Sequence, residues 1–138
     1  MTDREQPAAP GPAPRVLGFA LVLVLTVELA VWGSFLVPLR VGEVLVPVSW
    51  LVALVGNLSL GWAGGSIAGR AGAVVPGALW LAVALLLGTK RAEGDLVVTV
   101  DVAGLVFLAV GVLSSAVAYG LVLGRTAAVP PGERGRRR

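Results

Sequence analysis

Neither cysteine nor histidine occurs in this chain. Without cysteine there is no disulfide and no thiolate metal site. Without histidine, the commonest metal ligand and the commonest catalytic base at neutral pH are missing. Charge is scarce too. Asp, Glu, Lys and Arg make up 14% of the residues, the formal net charge is +3, and the basic residues gather mostly at the ends. A middle that is apolar, rather than basic and aromatic, excludes a nucleic-acid surface. No nucleophile–base pair and no metal set stands out, so the chain is not read as an enzyme and no cofactor is expected.

What fills the chain is apolar. Of its 138 residues, 57% are hydrophobic, and the mean hydropathy is +0.90. A soluble domain of this size needs a polar skin that this composition cannot supply. The apolar residues form four blocks, at about residues 16–36, 47–69, 74–88 and 102–124. Three reach the ~20 residues that cross about 30 Å of hydrocarbon at 1.5 Å per residue. The third is short; it either borrows residues 70–73 or Thr89 or lies less tilted. Valine favours strands in water, but an open sheet in lipid leaves backbone groups unpaired, and no block alternates as a barrel strand does. The first block exceeds the usual ~7–15-residue core of a cleaved signal peptide, and no A-x-A site follows it. It reads as a retained helix, with a cleaved signal as the lesser alternative.

The expected fold class is therefore an all-α integral membrane protein, a four-transmembrane-helix bundle over residues 15–125. A disordered Pro/Ala-rich tail precedes it at 1–14, and a basic tail follows at 126–138. Pro47 and Pro76 suit first helical turns, and Asp101 is a candidate N-cap. Glu93-Gly94-Asp95 reads as a turn, residues 97–100 as a short extended piece, and the acids here as an ordinary solvated loop.

Four crossings put both termini on one side. That side collects Arg4, Arg15, Arg70, Arg125, Arg134, Arg136, Arg137 and Arg138, against Arg40, Lys90 and Arg91 on the other. The positive-inside rule then makes both termini cytoplasmic, in a bacterial plasma membrane. Arg134, Arg136, Arg137 and Arg138 fix topology in this reading; holding anionic lipid headgroups or an acidic partner is the functional alternative.

Small residues mark packing faces. Ala53, Asn57, Gly61, Gly65 and Gly69 recur every four positions in the second block, and Gly111, Ser115 and Ala118 form a weaker ridge in the fourth. Such ridges let backbones approach closely. Packing within the chain is the plain reading, a homodimer seam the alternative. Phe35 and Trp50 fall near the outer boundary, Phe19 and Tyr119 near the inner one, as an interfacial belt does. Trp80 falls midway along its block.

One carboxyl, Glu28, stands inside the first block, "LVLVLTVELAVWGSF". Counted from the outer helix ends at 1.5 Å per residue, Glu28 and Trp80 lie about 12 Å deep, Asn57 about 15 Å, and Ser114 and Ser115 about 18–20 Å. Trp32 is one turn from Glu28 on the same face and placed to shield it. Acids at such depth usually face the interior and mark function. No Lys or Arg shares the level, so the expectation is an uncharged Glu28, turned inward and hydrogen-bonded to Asn57, Trp80 or both. In the plain reading this cluster glues helices; in the sharper one Glu28 exchanges a proton for a transported cation.

Four helices, small size and one membrane acid in the first helix resemble the small multidrug resistance transporters, a likeness that implies proton-coupled carriage and carries over Glu28 alone. The stretch "GNLSLGWAGGSIAGRAGAVVPGALWLAVALLLGTKRAEGD" resembles uncharacterised four-helix membrane proteins of high-GC actinobacteria, which implies no activity. The expected role is a small non-enzymatic membrane subunit or scaffold. Its partners are the lipid bilayer and a membrane protein or a second copy; the alternative is a secondary transporter.

Overall fold

Pro12 opens the first helix, α1 (Pro12–Phe35), after Gly11 as N-cap. A computed structural model describes residues 11–88 and 102–127. The expected helix start at residue 16 and the expected disordered tail through residue 14 are corrected here. Residues 12–14 are helical because prolines in a first turn lose no hydrogen bond, the N–H groups there having no helical acceptor. At the far end, Leu36 caps the helix and donates to the carbonyls of Trp32 and Gly33.

A small hairpin follows. β1 (Arg40–Val41) pairs antiparallel with β2 (Val44–Leu45), with Arg40 opposite Leu45 and Val41 opposite Val44. The two-residue turn between them starts at Gly42, whose φ of +65° suits the first central position of a tight hairpin turn.

α2 (Val48–Gly88) is one element of 41 residues, broken inside at Ala68 and Gly69. Pro47 lies just before it, and its carbonyl accepts from the Leu51 N–H. The break reverses the chain. Gly64 and Gly72 would be about 12 Å apart in a straight helix, yet each presents its Cα hydrogen to the other's carbonyl oxygen, and no side chain fits between them. This reciprocal close approach has the geometry of Cα–H···O contacts. Pro76 lies inside the returning arm and cannot donate to the Gly72 carbonyl four residues back; its ring packs toward Gly64. The separate second and third helices expected from sequence are thus the two arms of a single bent element, 48–67 and 70–88, and the returning arm starts at residue 70 rather than 74.

α3 (Val102–Ala127) completes the described elements. Residue pairs fix the directions. Gly33 meets Val52, Gly56 meets Leu29, and Gly18 meets Ile67, so α1 and the first arm run antiparallel. Gly61 meets Ala118 and Gly65 meets Val122, so α3 runs parallel to the first arm; Gly77 meets Ser115 and Gly111 meets Trp80, so it opposes the second. The start of α1, the break in α2 and the end of α3 therefore share one end of the molecule. All three helices are long and apolar enough to cross a membrane. The core sits toward the hairpin end. Ala30, Val37, Ala53, Trp80, Ala84, Ala103 and Phe107 form one cluster there, with the Trp80 and Phe107 rings tilted at 55° and 5.1 Å between centroids.

Candidate functional site: an interior polar seam and an outward carboxyl

Residues of the polar cluster expected from sequence fall on two sides of the molecule. Four of them lie at contacts between helices, with Asn57, Trp80 and Ser114 buried and Ser115 half-buried. Asn57, 2% exposed, donates from Nδ2 to the Ala53 carbonyl at 2.9 Å. The same carbonyl lies 3.3 Å from Ser114 Oγ on α3. That hydroxyl also reaches the carbonyls of Val110 at 2.8 Å and Gly111 at 3.0 Å. One hydroxyl carries one proton, so Ser114 divides it between its own helix and α2. Ser115 donates to the Gly111 carbonyl at 2.8 Å, and it fills the space that Gly77 leaves on the facing arm. Trp80 is wholly buried and lies on Gly111, and its indole N–H has no hydrogen-bond partner.

The packing residues gather at the same contact. Ala53 and Ala118 are wholly buried. A Cβ on Gly61 would come within 2.8 Å of the Ala118 methyl, and one on Gly65 within 2.5 Å of Val122. Gly111 is the floor under Trp80. Gly69 does not belong to this ridge. It is exposed at the chain reversal with φ +66°, and a Cβ there would meet nothing within 4 Å.

Glu28 stands apart. It is exposed on α1, and its partner is the Trp32 indole on the next turn, which donates to Oε2 at 3.2 Å. The expected contacts with Asn57 and Trp80 are not made. The reason lies in the buried stripe of α1, which runs through Val22, Thr26, Ala30, Gly33 and Ser34. Two residues turn a helix by about 200°, so a helix that buries Thr26 and Ala30 turns Glu28 away from its neighbours. Thr26 and Ser34 satisfy themselves by donating to the carbonyls of Val22 and Ala30, both at 2.7 Å. These interior hydroxyls, missed in the sequence reading, fit as small residues that bring their own acceptor.

Two more polar contacts were not foreseen. Trp50 Nε1 donates to the Ala103 carbonyl at 3.2 Å, tying α2 to the start of α3. At the opposite end the Arg125 guanidinium stacks over Trp62 at 4.8 Å. No local spacing announces either, since the partners lie far apart in the chain. Among the described residues, no group of three acids comes together as a metal site would require. Arg134, Arg136, Arg137 and Arg138, with Asp101 and the loop from residue 89 to 101, lie outside the described residues.

The interior is thus an apolar core beside which hydroxyls are paired locally and glycines let the helices approach closely, an arrangement that holds helices together. The chain belongs to a family of unknown function, DUF6113, whose pattern matches residues 4–137. No curated protein and no solved structure matches it.

Proposed function

We propose that the chain is a small non-enzymatic subunit or scaffold of a bacterial plasma membrane, crossing the bilayer four times with both termini in the cytoplasm. The two arms of α2 are the second and third crossings. Each is about 28–30 Å long at 1.5 Å per residue, close to the hydrocarbon thickness. Arg15, Arg70 and Arg125 share the end that holds the termini, and Arg40 lies at the other, which supports the orientation.

The observation that carries the subunit reading is Glu28. Among the described residues it is the one Asp, Glu, Lys or Arg that lies away from the helix ends and from the break in α2, and it faces outward. Gly56, near the middle of the first arm of α2, packs against Leu29, so Glu28 is level with the middle of that arm, which in the four-crossing reading is near mid-bilayer. A carboxyl there is costly when it meets only lipid. A partner helix that offers it hydrogen bonds removes the cost. The carrier reading, and with it the likeness to small multidrug resistance transporters, needs a path that reaches the acid; among the described residues Glu28 faces outward and not between the helices.

The test is recovery of the tagged full-length chain from native membranes in mild detergent. A protein bound in fixed ratio is expected, reduced when Glu28 becomes leucine. A chain that is monomeric in both forms, or proton-linked flux in liposomes that Glu28→Gln abolishes, sinks the reading.

A further inference from the structure

Glu28 does not stand alone on its face. Leu21, Leu25, Trp32 and Phe35 are exposed with it, by 58%, 46%, 64% and 57%. Positions 21, 25, 28, 32 and 35 follow each other at steps of four, three, four and three. That is the 3.5-residue seam along which two helices pack side by side. Apolar exposure alone says little in a membrane, where lipid covers it. The outer surfaces of α2 and α3 also expose large apolar side chains, and away from the break in α2 and the helix ends neither carries an Asp, Glu, Lys or Arg. The carboxyl is what marks α1.

We infer that this seam is covered by the same seam of a second copy, with a two-fold axis along the membrane normal passing beside Glu28. The inference rests on the proposal that α1 presents a partner surface, and names the partner. Three considerations select a second copy. Copies of one chain insert the same way round, so each seam residue lies at the depth of its counterpart, and a parallel seam pairs each position with itself. Glu28 then faces Glu28, and a carboxyl in its protonated form both donates and accepts. Two such groups satisfy each other, and a carboxyl facing a carboxylate shares one proton; neither arrangement calls for a basic residue on the partner. Finally, the Trp32 indole donates to Oε2 from within the chain, so the other carboxyl oxygen is the one left to meet its counterpart.

The absence of cysteine makes the test clean. Single cysteines replace Leu25, Phe35 and, as a control on the exposed surface of α3, Leu113. The full chain is oxidised in its native membranes and again after purification into liposomes. Leu25→Cys and Phe35→Cys are expected to give a product of twice the chain mass in both settings, and Leu113→Cys is not. In the Leu25→Cys background, Glu28→Gln keeps the yield, because an amide also donates and accepts. Glu28→Leu, which keeps the apolar seam, lowers self-association by roughly three- to twentyfold. Equal cross-linking at Leu113→Cys overturns the two-fold arrangement, as does a yield that Glu28→Leu leaves unchanged. Adducts at Leu25→Cys and Phe35→Cys whose mass is that of a different protein overturn the second copy but leave the subunit reading standing. No adduct at either position removes both.

Discussion

A tryptophan ring resting on a glycine is the least forgiving contact in the molecule. Trp80 is held by Phe107 on one side and by Gly111 below, and a Cβ at Gly111 would fall within the space of the indole. The ring is wholly buried, so a shift away from a new Cβ must push on its neighbours. Gly111→Ala is therefore expected to cost about 1–3 kcal/mol by overpacking. Gly120 lies on the same helix with nothing within 4 Å of its missing Cβ. Gly120→Ala is expected to cost nothing and to gain about 0.5–1 kcal/mol from helix propensity. Denaturant titration of both variants in detergent checks the pair; a loss at Gly120 equal to that at Gly111 would show that helix glycines matter here for some other reason than the Trp80 contact. The unpaired indole N–H suggests a companion experiment. Trp80→Phe gives up no hydrogen bond, so its cost should be the lost ring volume alone, well below the ~3–5 kcal/mol of Trp80→Ala.

Among the elements, α2 separates what the sequence shows from what it hides. Its apolar length was legible, and so was its ridge of small residues, because both follow from residue type and spacing. The function of Gly69 was not. It stands four residues after Gly65 and fits the ridge by number, yet its φ of +66° and ψ of −146° place it where the chain turns back. Dihedral angles leave no mark on spacing; the one sequence sign was the following Arg70, a charge unsuited to a buried ridge. Gly69→Ala places a Cβ in backbone territory close to that reserved for glycine, an expected cost of about 1–3 kcal/mol. Steric clash contributes none of it, since the site is open. The thermal midpoint of Gly69→Ala should drop while Arg70→Ala, one residue on, leaves it nearly unchanged; an unaffected Gly69→Ala would mean that the reversal is set elsewhere, most directly at the Gly64–Gly72 approach. The outward turn of Glu28 was hidden for a related reason. The general cost of a charge in lipid argued for the interior, but the small residues of α1, Thr26, Ala30 and Ser34, already marked the packing side about 200° away. The local stripe outweighed the general rule.

For the whole molecule the open quantity is the number of crossings, and the bend in α2 decides it. If α2 crossed once as a straight rod, α1, α2 and α3 would make three crossings and leave the two termini on opposite sides. The close approach of Gly64 and Gly72 argues against a rod, and the parallel course of α3 and the first arm brings the end of α3 back beside the start of α1. Charge points the same way, with Arg15, Arg70 and Arg125 at one end. Single cysteines separate the cases in intact cells. With four crossings, a cysteine at Glu43 in the hairpin turn reacts with a membrane-impermeant maleimide from outside, while cysteines at Arg70 and at Ala127 react only after the membrane is opened. With three crossings, Ala127→Cys would react from outside together with Glu43→Cys. Inversion of the whole pattern would preserve the four-crossing bundle but overturn the cytoplasmic termini, showing that the arginines do not govern insertion. The two parts of the proposal, bundle and orientation, thus fail separately.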